Sequence, residues 1–285
     1  MANFIITGFS DEIDQNVEKQ FINLNHLGIS YFEPRGINGK NISELTLFEA
    51  KQLKETMDKY GIKVSSIGSP IGKIKITDDF DEHLKLLEHV IEIAKILDTK
   101  YIRVFSFFIP KGEDPAKYRD EVLRRMNKMA ETAEAAGVII LHENEKDIYG
   151  DVASRCKDIF DNVQSPALRG VFDPANFVQC GQVTYPDAFE LLKPHIVYMH
   201  IKDAFFEDGR IVPAGYGEGH VKEILSDLAA ENYNGFVSLE PHLGVFGGLE
   251  KLELDDSMLQ LEKSDAGKFT MAYKALEKIL DEVNK

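Results

Sequence analysis

Eight short apolar runs return along the chain at near-regular intervals, and this rhythm constrains the fold more than any other feature of the sequence. They are Phe4–Thr7, Ile29–Glu33, Ile62–Ile67, Tyr101–Phe105, Val138–His142, Leu168–Phe172, Ile196–Ile201 and Phe236–Leu239. Each is rich in Ile, Val, Phe and Tyr and nearly continuous in apolar character, the pattern of parallel strands covered by helices. The gaps carry amphipathic helical periodicity, as at Asn16–Leu27, Ser43–Tyr60, Asp79–Leu97, Pro115–Ala136 and Asp151–Asn162. Gly28, Gly61 and Gly137 fall just past three of these helices, and Ser43 stands where a cap of the second would be. Strand and helix alternating eight times predict a single-domain α/β fold, a (β/α)8 TIM barrel over residues 1–285. A doubly wound open sheet competes, but it marks its first turn with GxGxxG; here the first strand runs into GFSDEID.

Composition suits that fold. With 285 residues, 44% hydrophobic and 28% charged, the chain can fill the core of one large domain. Forty-eight Asp and Glu against 33 Lys and Arg give a net charge of -15, which argues against gripping a nucleic-acid backbone. Cys156 and Cys180 are the only cysteines and form no CxxC pair, as expected in a reducing compartment. The start, MANFIITGFSDEID, carries no basic leader, and no run approaches the roughly 20 apolar residues that a bilayer demands. The expectation is a cytoplasmic protein with neither a membrane nor a nucleic acid as partner.

Polar residues at strand ends indicate chemistry. Glu143, Asp173, His200 and Glu240 each sit at the C-terminal edge of an apolar run, on four consecutive strands. In a barrel those edges converge on one mouth. Three carboxylates brought together without a cation repel one another and lose hydration, so the set predicts one divalent metal ion. Oxygen donors suit Mn2+ or Mg2+, and the imidazole admits Zn2+ or Co2+; Mn2+ is the first expectation. Strand alternation turns His142 to the face opposite Glu143. Glu33, Arg35, Lys73, Arg103, Lys202 and His242 stand near strand ends as candidate substrate contacts. An Arg within an apolar strand is costly unless it meets an anion, so Arg103 is expected to face a carboxylate or the substrate. Asp203 is expected to orient Lys202 or another group behind the ligands. Long connections at 202–220 and 241–266, rich in glycine, would cover the mouth.

At these residues the chain resembles the sugar isomerase/epimerase superfamily with xylose isomerase-like barrels, which includes tagatose/psicose 3-epimerases, hydroxypyruvate isomerases, inosose enzymes and endonuclease IV. The most specific segments are LHENE (141–145), VFDPAN (171–176), MHIKD (199–203) and SLEPH (238–242). GFSDEID, EPRGINGKNI and SSIGSPIGKI resemble a subgroup of sugar phosphate isomerases. The resemblance implies that Glu143, Asp173, His200 and Glu240 ligate the metal and that Glu143 and Glu240 double as the acid/base pair. It implies proton transfer through a metal-stabilised enediolate of a small sugar, sugar phosphate or related 2-oxo polyol. A metal-dependent dehydratase and a non-catalytic sugar-binding barrel are the alternatives. The family usually carries a histidine three residues after the strand-six aspartate; here Asn176 takes that place, a group that hydrogen-bonds a hydroxyl but shuttles no proton. Endonuclease IV histidines on strands three and four have no counterpart in SSIGSP or RVFSFF. A homo-oligomer is allowed, since mouth-covering dimers are common in the family.

Overall fold

The computed structural model describes residues 2–245 and 262–284. Eight barrel strands follow one another along the chain. They are β1 (Asn3–Gly8), β2 (Tyr31–Phe32), β3 (Lys63–Val64), β4 (Tyr101–Val104), β5 (Ile139–Glu143), β6 (Leu168–Phe172), β7 (Ile196–Ile201) and β8 (Asn234–Leu239). Six of them form one parallel sheet in the order β1-β8-β7-β6-β5-β4, and β2 pairs β3 separately, also parallel. Backbone bonds join the two pieces into a ring. Glu33 N–H donates to the Gly8 carbonyl at 2.9 Å, and the Ile67–Ile102 bridge ties the chain beyond β3 to β4. Strand two ends just before Pro34, which offers no ladder donor, and beyond strand three the chain passes to β4, with Ile67 N–H donating to the Tyr101 carbonyl at 2.9 Å. The fold is the (β/α)8 TIM barrel, a curled parallel sheet wrapped in helices.

The outer layer holds α1 (Val17–His26), α2 (Leu47–Tyr60), α3 (Phe80–Ile96), α4 (Arg119–Ala136), α5 (Ala153–Asn162), α6 (Pro174–Gln179), α7 (Phe189–Leu192), α8 (Val221–Ala230) and α9 (Ala266–Val283). Thr46, not Ser43, caps α2: its Oγ1 accepts from Glu49 N–H while the Glu49 carboxylate accepts from Thr46 N–H. Ser43 lies in a separate 3-10 turn capped by Asn41. Gly61 and Gly137 close α2 and α4 in the left-handed conformation, as their positions predict. Among the described residues, no helix is long and apolar enough to cross a membrane.

Two columns of side chains alternate along each strand. The outer column packs on the helices and includes Ile102, Val104, Ile140, Phe172, Met199 and Leu239, all buried. The inner column begins apolar, with Leu141, Val171 and Tyr198 forming a plug inside the ring. One pleat further along the same strands, the inner positions are Glu143, Asp173 and His200. Between plug and mouth lies a polar layer. Thr7 Oγ1 meets Ser65 Oγ at 2.8 Å, and Ser65 Oγ meets the Tyr198 hydroxyl at 2.9 Å. Strand alternation therefore sets polar groups at the C-terminal mouth above an apolar floor.

The connection 202–220 contains the antiparallel pair Asp203–Ala204 and Ile211–Val212. Asp203 does not orient Lys202. Its carboxylate accepts from the N–H groups of Ala204, Gly215, Gly217 and Gly219 at 2.7–3.0 Å and gathers the loop about itself. A Cβ at Gly217 would lie 2.4 Å from Asp203 Oδ1, so glycine is the residue that fits there. Most of the connection 241–266, from 246 to 261, lies outside the described residues.

Candidate metal centre

Glu143, Asp173, His200 and Glu240 each present one donor atom, and the four atoms lie within 4.8 Å of one another. They come from the ends of β5 to β8, and none is more than 3% exposed. A first-row ion at 2.0–2.2 Å from its donors spans about 4.4 Å between opposite ligands, so a shift of a few tenths of an ångström closes the set. Two carboxylate oxygens, Glu143 Oε2 and Asp173 Oδ2, are buried without a hydrogen-bond donor, although Arg103 Nη1 and Lys202 Nζ stand 3.3 and 3.2 Å away. Three carboxylates and an imidazole with unused buried lone pairs fit a divalent cation.

Local structure explains each ligand's aim. Asp173 caps α6, accepting from Asn176 N–H at 2.9 Å through Oδ1 and leaving Oδ2 toward the mouth. Asn144 locks the neighbouring strand ends: its side chain donates to the Asp173 carbonyl and accepts from the Asp173 N–H, both at 2.9 Å. His200 Nδ1 faces Glu143 Oε1 at 2.9 Å and Glu240 Oε2 at 3.4 Å, while Nε2 points back toward Glu33 Oε2 at 3.3 Å. A carboxylate behind a histidine favours one ring nitrogen for the ion.

The electrostatics are those of a crowded buried cluster. Burial pushes the Asp173 carboxyl up to about 7, against the pull of Lys202. Burial also raises Glu240, but Lys202, His242 and His200 outweigh it and hold that carboxyl well below its usual range. Burial favours neutral His200, yet Glu143 and Glu33 draw its pKa well above the ordinary imidazole value. A metal ion must displace these protons, since ligation requires an ionised carboxylate and a free imidazole nitrogen.

The remaining predicted residues divide into two groups. Lys202, Arg103, Arg35, Asn176 and His242 reach the four-residue cluster. Lys202 Nζ lies 3.0 Å from Glu240 and 3.2 Å from Asp173. Arg103 Nη1 is 3.3 Å from Glu143, and Asn176 Nδ2 donates to the same carboxylate at 3.3 Å. Arg35 Nη1 is 3.3 Å from Glu240, and His242 Nε2 is 3.4 Å from it. Glu33 and Lys73 are placed differently. Glu33 sits beneath the cluster, its Oε2 accepting from the Tyr198 and Ser238 hydroxyls at 2.8 and 2.7 Å. Lys73 pairs with Glu145 at 3.0 Å.

Sequence reasoning passed over Asp11 and Glu12, both buried and both bonded to Arg35. Two acids directly after β1, at the same sheet edge as Glu240, were the available signal. Glu145, two residues past Glu143 and hence on the same side of the strand, was another.

Residues 21–258 match the family model described as xylose isomerase-like TIM barrel. The chain belongs to this family. Solved members of similar shape have low identity. A D-tagatose 3-epimerase-like protein superposes with a TM-score of 0.75 at 18% identity, covering 99% of this chain and 98% of that one. The probable 3-DHS dehydratase of petrobactin synthesis from Bacillus anthracis gives 0.73 at 16%, covering 97% and 99%. A xylose isomerase-like TIM barrel protein from Mycobacterium smegmatis, solved in complex with magnesium, gives 0.68 at 15%, covering 99% and 98%. At these identities the likenesses establish the fold alone. No curated protein matches the chain by sequence.

Proposed function

We propose that the protein is a divalent-metal-dependent isomerase or epimerase of a small polyhydroxy carbonyl compound. The single observation that carries this is the buried group of Glu143, Asp173, His200 and Glu240 at the mouth of a xylose isomerase-like barrel. These four residues would hold the ion, Mn2+ first and Mg2+, Zn2+ or Co2+ otherwise, given three oxygen donors and one nitrogen. When bound, such an ion supplies Lewis acidity, polarising a carbonyl and neutralising charge that develops on its oxygen.

The chain's own residues do the proton work. Glu143 on β5 and Glu240 beyond β8 approach the centre from different sides of the ring. One carboxylate removes the proton from the carbon beside the carbonyl, and the other returns a proton to the opposite face, which inverts that carbon. Return of the proton to the neighbouring carbon instead gives aldose–ketose interconversion. Lys202 Nζ, 3.0 Å from Glu240, and Arg103 Nη1, 3.3 Å from Glu143, orient the two proposed bases. Asn176 holds Glu143 by a donated hydrogen bond and has no proton to shuttle. A dehydratase shares the first proton abstraction, and one neighbour of the same fold is described as a probable dehydratase.

Solvent-deuterium exchange into a panel of ketoses, inososes and 2-oxo acids, read by NMR on the metal-loaded enzyme, tests the proposal. Exchange without loss of water is expected, and Glu143→Gln and Glu240→Gln should each slow it by about 10^2–10^4-fold. Loss of water would assign a dehydratase. Full exchange in both variants would remove Glu143 and Glu240 from the chemistry.

A further inference from the structure

Basic side chains near the mouth of a sugar-converting barrel invite the expectation of an anionic handle, a phosphate or carboxylate, on the substrate. Here the chain itself answers each of them. Arg35 spends its fork on Asp11, with Nε 2.9 Å from Oδ2 and Nη2 3.2 Å from Oδ1, and reaches Glu12 and Glu240 as well. Lys73 meets Glu145 at 3.0 Å, with both side chains no more than 10% exposed. Arg103 and Lys202 lie against Glu143, Glu240 and Asp173.

The balance of charge points the same way. Among the described residues, seven carboxylates line or support this centre: Asp11, Glu12, Glu33, Glu143, Glu145, Asp173 and Glu240. Four permanent cations face them: Arg35, Lys73, Arg103 and Lys202. A dication added to that set leaves no positive excess. A phosphate would have to take a buried cation from its carboxylate and leave that carboxylate unpaired. Hydroxyl groups of a polyol instead both donate and accept, and bond to paired ions without disturbing them.

We propose that the site takes an uncharged polyhydroxy carbonyl substrate, and that Glu145 and Asp11 set this selectivity by neutralising Lys73 and Arg35. The inference rests on the catalytic reading above and narrows its substrate class. Glu145 and Asp11 are specificity residues acting through the cations they hold.

The test is calorimetric binding to the metal-loaded full-length enzyme of matched ligands: fructose with fructose 6-phosphate, and xylulose with xylulose 5-phosphate. In the wild type the uncharged member should bind at least about tenfold tighter than its phosphate ester. Glu145→Gln removes the carboxylate that faces Lys73 and should narrow that ratio severalfold, by strengthening the ester. Asp11→Asn, an independent variant, should move the ratio the same way. Tighter binding of either ester by the wild type, or ratios unmoved in both variants, overturns the assignment, as does binding of neither member of both pairs. Deuterium exchange is measured in the same samples. Selective binding of the uncharged sugar without exchange upholds the selectivity and refutes the isomerase chemistry.

Discussion

The inner and outer columns of the same strands carry the same residue types to opposite ends. His142 and His200 make the comparison sharpest. His200 faces inward among Glu143, Glu240 and Glu33, and those carboxylates hold its pKa well above the ordinary value. His142 precedes Glu143 by one residue and faces outward, edge-on to Phe160 with ring centroids 5.9 Å apart. Among the described residues neither of its ring nitrogens has a hydrogen-bond partner, and burial pushes its pKa down to about 3. One pleat separates a candidate ligand from an inert packing group. Polar groups gather on the inner face at the mouth, while the imidazole outside the ring is held neutral by burial.

The largest consequence concerns pH, where raised carboxyls at the mouth and depressed histidines outside the ring act with opposite signs. Two buried carboxyls at the mouth are raised, Glu12 to about 8 and Asp173 to about 7, each by burial first. The folded state then holds protons that the unfolded chain has released, so this stability is present below the unfolded pKa values near 4 and is lost as pH rises toward 8. Two buried histidines outside the ring, His83 on α3 and His142 on β5, are depressed to about 4 and about 3, again by burial. The unfolded chain takes up those protons below about 6.5 and the fold does not, so stability is lost as pH falls from 6.5 toward 4. Each group contributes a slope on the order of 1 kcal/mol per pH unit. In chemical denaturation without metal, Glu12→Gln should flatten the loss on the alkaline side, and His142→Leu the loss on the acid side. Identical pH profiles in both variants and wild type would erase the distinction between the columns.

A smaller effect tests the packing of the outer column. A Cβ at Gly150 would stand 2.5 Å from His142 Cε1 and 2.9 Å from Ser106 Oγ. Gly150→Ala should cost about 1–3 kcal/mol in denaturant unfolding while leaving metal content intact, because the crowding lies outside the ring. Loss of metal in this variant would show that the columns are coupled. Smallest is a change remote from both. Thr46→Ala removes the cap of α2 and should cost about 1 kcal/mol, with no effect on metal binding or exchange.

The barrel was legible because its strands are buried on both faces and read as apolar runs, with helical periodicity between them. The four strand-end groups were legible for a related reason: a charged residue closing such a run has no packing role to explain it. Glu33 illustrates the limit. Its position at a strand end suggested the mouth, but with Pro34 following it, the side chain settles beneath His200 between Tyr198 and Ser238. Asp203 reads in the sequence as a partner for Lys202 or for another group behind the ligands, whereas glycine N–H groups more than ten residues later claim its carboxylate. Pairings such as Arg35 with Asp11, or Lys73 with Glu145, join separate strand ends and depend on barrel closure. Sequence spacing encodes which face a residue takes. It does not encode which partner waits there.

Metal content per chain tests the central proposal most directly. Wild type and His200→Ala are equilibrated with Mn2+, freed of excess by gel filtration and measured by plasma emission spectrometry. One ion per wild-type chain and close to none in His200→Ala is the expected result. Equal metal content in both would contradict a centre built on Glu143, Asp173, His200 and Glu240.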